Sequence, residues 1–573
     1  MLNPKLLPAA LLLLCLPATT SLTAPDLAPA SWFLDEDEVK IAMGGTWDRT
    51  DKLKMSVFSE GNSAEPLVTG EKMFGQILED VLATQADDYI YYTAWAIQPN
   101  MTLDPRGTIA PPGSNTTMTA LWTEAIQRKV TCLTLLWRNL LNREITKQWW
   151  DQMGAAAKAI GAGEDQARAI VDGRTKVGGS HHQKSLVIKR KGEAVAYLGG
   201  IDVTHDRWDT PEHCCSIPFR DRDLECVATC KARETEPNNF RPGWEDVSVR
   251  LRGPAVLDVG ANFLSRWNDD EDPSSIPPYI EKAVKLKAPP MDPMDAAASG
   301  VGTQAVQVLR TFACSYQPVC TKSCYSENAP DGDVTYLAAL VKAIKKAKNY
   351  LYLEDQYGLF QEDYHEAVDG ALAAGLAYVV VLIQPPDPEA DQFGYSSYQA
   401  MMWNPLKEKY PGRVFVYSRN DGTYVHSKIA VVDDTWMSIG SQNLNYRSLT
   451  SDTELAAAIV DQETVEGPDG FEVAKLALEF RTKLWAAALG VDAEEMKKYT
   501  LDEAVKLWQD GTRKERRVAP YVPVQKAPFG RITQKVVDGD GRCSGWIKDE
   551  EEEVEGGRGE GGFGGDISEI SFL

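Results

Sequence analysis

The stretch His426–Asn443, HSKIAVVDDTWMSIGSQN, places a histidine and a lysine two residues apart, then an apolar run, an acidic turn, a second apolar run and Gly440-Ser441-Gln442-Asn443. Residues two apart on a strand share a face, so His426 and Lys428 converge on one side of a hairpin. A lone His-x-Lys carries little information. The chain repeats the pattern at His182–Asp202, HQKSLVIKRKGEAVAYLGGID, where His182 and Lys184 lead through strand, turn and strand to Gly199-Gly200-Ile201-Asp202. Two copies with the same ending point to an internal duplication.

The segments upstream of each copy repeat in the same order. Before the first, GQILEDVLATQADD reads as a helix feeding the strand YIYYTAWAI, and ALWTEAIQRK as a helix feeding VTCLTLLW. Before the second, DVTYLAALVKAIKKAKN precedes YLYLEDQYG and EAVDGALAAGLA precedes YVVVLIQPP. Helices of 3.6-residue period alternating with short apolar strands give an α/β class. The expected architecture is two related α/β halves packed around one shared active site: residues 25–290 and 291–512, joined through a Pro- and Asp-rich connector. FEVAKLALEFRTKLWAAALG reads as a closing helix ending at Gly490, followed by a short helix, TLDEAVKLWQDG.

Residues 1–24 have the layout of a secretory leader, with Lys5, a short apolar run and then small and polar residues. The apolar run is shorter than the roughly twenty residues a membrane span needs, so no span is expected in the mature chain. A secreted or lumenal location gives meaning to the glycosylation acceptors Asn100 and Asn115. It also gives meaning to two cysteine clusters, 214, 215, 226 and 230, and 314, 320 and 324, which read as local disulfides, with Cys132 in an apolar strand left unpaired. The formal charge of −23 argues against a stable nucleic-acid partner or a nonspecific grip on an anionic membrane. Residues 513–573 read as a solvated basic run, RKERR, and then an acidic, Gly-rich disordered tail.

Two His-Lys pairs brought together across a pseudo-twofold axis put two imidazoles beside a site that two ammonium groups make positive, which suits a phosphodiester. Glycine at positions 199, 200 and 440 allows close backbone approach to a bound group, with Ser441 beside it and Asp202 and Asn443 as polar ends. Downstream of each motif lies a carboxylate, Asp246 and Glu454. Each is expected to complete its own half by accepting from the second ring nitrogen and fixing the tautomer. His365 reads as an exposed helix residue.

HSKIAVVD and GSQN match in full the signature HxKxxxxD and GSxN, and the chain thereby resembles the phospholipase D superfamily. The likeness spans roughly Lys72 to Gly490 and includes GGIDVTHDRWDTPEH, WEDVSVRLRGPAV and GSQNLNYRSL, which are similar to stretches of phosphatidylcholine-cleaving members. The resemblance implies a phospholipid substrate at a membrane surface and a phosphohistidine intermediate. It implies His182 as nucleophile, His426 as acid and base, and Lys184, Lys428 and Asn443 holding phosphate oxygens. The chemistry requires neither metal nor cofactor. A nuclease of the same superfamily is the alternative enzyme.

The first copy departs from the signature at Lys189, where the second has Asp433. A catalytically dead lipid-binding protein is the reading that this departure motivates. The motif Asp, however, stands at an odd offset from both His and Lys, so in a regular strand it faces away from them. Asp433 therefore reads as a scaffold residue of the turn. The longer first hairpin is expected to carry Lys189 out to its solvent-exposed tip.

Overall fold

The computed structural model of the chain describes residues 22–45, 48–138, 143–161, 166–175, 178–213, 243–269, 291, 301–314, 328–525 and 538–543. The leader up to residue 21, six of the clustered cysteines, most of the connector and the tail from 544 lie outside the described residues. The first half contains β1 (Ser59–Val68), β2 (Tyr89–Ala94), β3 (Thr131–Trp137), β4 (Ala167–Asp172), β5 (Ser185–Arg190), β6 (Glu193–Gly199), β7 (Trp244–Glu245) and β8 (Val247–Arg252). The second contains β9 (Gln304–Thr311), β10 (Tyr350–Asp355), β11 (Tyr378–Ile383), β12 (Val414–Arg419), β13 (Tyr424–Val425), β14 (Lys428–Val432), β15 (Trp436–Gly440) and β16 (Glu454–Asp461). The hairpin β17 (Thr464–Glu466) and β18 (Glu472–Ala474) and the late strand β19 (Val518–Pro520) follow.

One 15-stranded sheet runs β19-β12-β11-β10-β14-β15-β16-β9-β1-β8-β6-β5-β2-β3-β4. Read outward from the β9–β1 seam, the first seven strands follow the same order in both directions, with β19 added at the end of the second half, so the duplication is visible in the topology. Within each half, the three strands β2-β3-β4 and β10-β11-β12 are parallel, their crossovers closed by helices, and the motif hairpins lie antiparallel beside them. The seam is short, Ser59 facing Val306 and Asn62 facing Gln304 with an irregularity between them.

Strand residues alternate between two cores, as period-2 geometry requires. In the first half Ile90, Tyr92, Leu186 and Ile188 pack with Phe74, Leu78, Trp122 and Trp149 of the covering helices Gly70–Leu82, Met118–Gln127 and Arg143–Ala159. In the second half Leu351, Leu353, Val379 and Val381 do the same beneath Thr335–Lys346, Glu362–Ala373 and Tyr395–Lys409. The opposite faces, with Tyr91, Val187, Val249, Tyr352, Val431 and Ile459, join in one continuous core around the helices Ala255–Trp267, Lys475–Leu489 and Leu501–Gln509. Burial of both faces explains why these strands read as apolar runs rather than as alternating ones.

Four expectations change. Trp32, Phe33 and Leu34, assigned by sequence to the first half, pack into the second half's core, and Gln307 exchanges hydrogen bonds with Leu34. Residues after 513 are in part ordered: Val518–Pro520 pairs with β12, Arg516 is buried with its guanidinium 5.0 Å from the Tyr417 ring, and 538–543 is packed. Cys314 bonds to Cys543, 229 residues away, rather than within its local cluster, while Cys132 is buried and free. His365 is half-buried against Phe360. Asn100 and Asn115 are exposed. Among the described residues no helix is long and apolar enough to cross a membrane.

Candidate active site

The two motif hairpins meet where the halves exchange backbone hydrogen bonds. His182 N donates to Thr453 O at 2.8 Å, and His426 N donates to Glu245 O at 2.8 Å. Each histidine is thus tied to the residue just before the carboxylate of the other half. The bridge at His181 and Thr453 and the pairing of β13 with β7 continue the same exchange.

The consequence is a crossed arrangement. The Nδ1 of His182 lies 3.0 Å from both Oε1 and Oε2 of Glu454 and 3.0 Å from Ser441 O. The Nδ1 of His426 lies 2.7 Å from Asp246 Oδ2. Both carboxylates orient imidazoles, but each serves the opposite half, not its own. Local strand geometry does not determine this pairing, because it depends on how the halves dock.

Residues read as a cradle for the ligand prove to be supports for these carboxylates. A Cβ on Gly200 would stand 2.1 Å from Asp246 Oδ1, so glycine there makes room for the carboxylate rather than for a bound group. Ser441 Oγ donates to Glu454 Oε2 at 2.5 Å. Gly200 N and Ser441 N donate to Val247 O and Leu455 O, the residues following each carboxylate, so the two positions are structural equivalents. Asp202 accepts from Trp95 N and Ala96 N at 3.1 Å and lies 3.5 Å from Lys184 Nζ. Asn443 is buried, and its Oδ1 finds no hydrogen-bond partner among the described residues; only its Nδ2 amide could donate to a phosphate oxygen.

The ammonium groups are fixed by their own strands. Lys184 Nζ donates to His182 O at 2.8 Å, and Lys428 Nζ to His426 O and, at 3.2 Å, to Gln356 Oε1. Lys184 also lies 5.7 Å from the Trp95 ring centroid. Trp95 and Gln356 occupy matching places, the first residue after β2 and after β10, and sequence reading passed over both. The repeat held the signal, YIYYTAW aligned with YLYLEDQ. Trp244 was missed as well: it lies 4.8 Å from the His426 ring, donates to Asp246 at 3.3 Å and carries the Arg207 guanidinium 3.9 Å above it.

Burial dominates the electrostatics. It pushes both imidazoles well below the ordinary histidine range, reinforced at His182 by Lys184 and Lys428 and at His426 by Lys428, Arg207 and Lys184. Burial lowers Lys428 to about 8 and lowers Lys184 as well. It raises Asp246 to about 6 and Glu454 to about 8. The resting site therefore holds neutral imidazoles; at His182 the Ser441 carbonyl, which can only accept, fixes the proton on Nδ1 and leaves the lone pair on Nε2. The side chain of His182 is 14% exposed and that of His426 6%, so His182 is the more accessible.

Lys189 is not at a hairpin tip. The β5–β6 ladder is regular, Lys189 pairs with Ala194, and the turn is Lys191-Gly192, both at positive φ. The extra length lies in the strands. Asp433 accepts from the backbone N–H groups of Lys348, Asn349 and Tyr350 at 2.7–2.8 Å, fixing the entry to β10. It is a scaffold residue of the turn, at positive φ beyond the end of β14 opposite Lys428, and its separation from the lysine comes from the length of the strand.

Residues 83–369, half of the chain, match the family described as Phospholipase D, and residues 340–469 match Cardiolipin synthase, PLD-like domain. The chain belongs to the phospholipase D superfamily. Phospholipase D alpha 3 of Arabidopsis thaliana is 23% identical over 534 residues, covering 74% of this chain and 64% of the relative. Phospholipase D alpha 2 of Oryza sativa subsp. japonica is 24% identical over 533 residues, covering 73% and 64%. Phospholipase D1 of Schizosaccharomyces pombe is 25% identical over 405 residues, covering 56% and 28%. The chain thus spans less than two thirds of the length of these relatives. Among solved structures, a phosphatidylserine synthase of Haemophilus influenzae Rd KW20 aligns over 85% of this chain and 92% of its own, at 12% identity and a TM-score of 0.47. In this phospholipase D-superfamily chain, both His-Lys pairs and both orienting carboxylates are in place, Lys189 notwithstanding.

Proposed function

We propose that the protein is a phosphodiesterase that cleaves the head group from a glycerophospholipid, phosphatidylcholine foremost, through a phosphohistidine. The observation that carries this reading is the crossed pair of imidazole–carboxylate contacts flanked by two buried ammonium groups. The Nδ1 of His182 is held by Glu454 and Ser441 O, which leaves the Nε2 lone pair free to attack phosphorus. As the N–P bond forms, the P–O bond to the head-group alcohol breaks and His426, held by Asp246, supplies the proton to the leaving oxygen. His426 then takes a proton from water, whose oxygen attacks phosphorus, breaking the N–P bond and releasing phosphatidic acid and neutral His182.

Proton supply follows from charge. Burial disfavours a protonated His426, and Lys428, Arg207 and Lys184 add to it. A phosphodiester anion seated between Lys184 and Lys428 offsets that charge and raises the proton affinity of His426 when the acid is needed. Asn443 and the lysines are assigned to the nonbridging oxygens.

The leader, the exposed sequons and the Cys314–Cys543 bond support passage through an oxidising compartment. The test is choline release from phosphatidylcholine vesicles in the presence of a primary alcohol. Choline release accompanied by a phosphatidyl-alcohol product is expected; cleavage of single-stranded DNA without choline release would favour a nuclease.

A further inference from the structure

Asp538 lies far beyond the catalytic repeat in sequence, yet it is 3% exposed and its carboxylate sits at the start of the short helix Tyr446–Thr450, between Asn443 and Glu454. It accepts from Tyr446 N at 3.2 Å and Arg447 N at 2.8 Å. The Arg447 guanidinium holds Asp452 Oδ2 through Nε and Nη2 at 3.2 and 3.0 Å. Asp452 Oδ1 in turn accepts from Ser180 N at 2.8 Å, and the neighbouring Thr453 bonds both Ser180 and His182 through its backbone. An unbroken chain of contacts thus runs from Asp538 to the backbone of His182.

The same segment is fastened further along. Gly541 N donates to Thr450 Oγ1 at 2.9 Å, and Gly541 O accepts from Cys314 N at 2.9 Å. A Cβ at Gly541 would stand 2.4 Å from Thr450 O, so this close approach admits only glycine. Arg542 pairs with Asp363 at 2.8 Å, and Cys543 closes the disulfide to Cys314 at the end of the segment following β9. Fixing two backbone positions covalently reduces the conformations from which the contacts must be recovered.

We propose that Asp538–Cys543 is a clamp that positions the His182–Glu454 arm of the site, with Asp538 as its positioning residue and the Cys314–Cys543 bond as its fastening. The inference rests on His182 being a reacting imidazole, and it adds that the arm's geometry is set by a segment outside both repeats. Without the clamp, Arg447 loses the acceptor that holds its backbone, and Asp452 loses a fixed partner. Glu454 and His182 then sample orientations in which Nε2 is misaimed, a defect of turnover rather than of substrate binding.

The experiment compares full-length Asp538→Ala, Asp538→Asn and Cys543→Ser with the parent protein by amide hydrogen exchange and by kinetics on phosphatidylcholine vesicles. Expected is faster exchange at His182, Arg447 and Thr453 with unchanged protection in β3, and kcat lower by about tenfold with KM within about twofold. Asp538→Asn, which keeps one acceptor, should fall between the parent and Asp538→Ala. Should Asp538→Ala fail to fold, Cys543→Ser gives the same reading. Native exchange at those amides in the folded variants would overturn the clamp, as would an equal loss of protection throughout the sheet. Exchange needs no turnover, so absence of phosphodiesterase activity would refute the proposed chemistry and leave the clamp to be judged separately.

Discussion

His182 and Glu454 stand 272 residues apart in the chain, yet Nδ1 of the one lies 3.0 Å from both carboxylate oxygens of the other. The reciprocal contact joins His426 to Asp246, 180 residues upstream. For the two motif histidines neither half supplies its own orienting carboxylate, so the active site exists only when the halves are docked.

Glu454→Gln should therefore perturb His182 and leave His426 nearly unchanged, although Glu454 lies 28 residues from His426 in sequence and far more from His182. The titration of the two imidazoles, followed by NMR, checks this. Turnover should fall by about 10²- to 10⁴-fold in Glu454→Gln and in Asp246→Asn, since each removes the group that holds a ring in its working tautomer.

The pH dependence of Glu454→Gln has a defined sign. Burial raises the Glu454 carboxyl from 4.5 to about 8, so the folded protein retains a proton that the unfolded chain releases between those values. Its contribution to stability falls as pH rises through that window. The Tm of Glu454→Gln relative to wild type should therefore become more favourable from pH 4.5 to 8 and level off above. Activity has its own basic limb: Lys428, lowered to about 8, loses its charge above that pH, and kcat/KM should drop there.

Gly200→Ala places a methyl group where Asp246 Oδ1 now lies, at 2.1 Å. Displacing that carboxylate disables the His426 arm, and activity should fall by about 10²-fold or more. Binding of phospholipid vesicles should be retained, because no phosphate-holding group is altered.

At the motif position that differs between halves, Lys189→Asp should leave turnover within about threefold and alter mainly stability, since Lys189 pairs with Ala194 on the face away from Lys184. A large gain in rate would show that the strand parity does not isolate this position. Asp433→Ala leaves three backbone N–H groups, two of them buried, without their acceptor and should cost about 3 kcal/mol of stability, read from urea unfolding.

The relation between sequence and site follows from the range over which each feature is decided. His182 with Lys184, and His426 with Lys428, were legible because strand period is local, and the α/β halves were legible because their helices and strands recur in order. Asp246 and Glu454 were recognisable as partners of imidazoles, but not which imidazole each would meet, because that depends on docking across the seam. Gly200 looked like a ligand cradle for a different reason: its neighbour, Asp246, comes from β7–β8 of the same half, brought alongside by the β6–β8 pairing, a contact 46 residues distant in sequence. Cys314 looked locally paired because sequence proximity was the only guide, whereas the chain after residue 513 folds back to meet it. Trp95 and Gln356 were visible only by aligning one repeat upon the other.

The most direct test is an active-site burst with a phosphatidyl ester of p-nitrophenol, whose leaving group needs no acid. In His426→Ala, loss of the base for the water step should trap the adduct: one equivalent of nitrophenol released per protein, followed by a phosphatidyl group located at His182 by mass spectrometry. An adduct on His426 in the wild-type protein, or nitrophenol release in His182→Ala at the wild-type rate, would contradict the assignment of His182 as nucleophile.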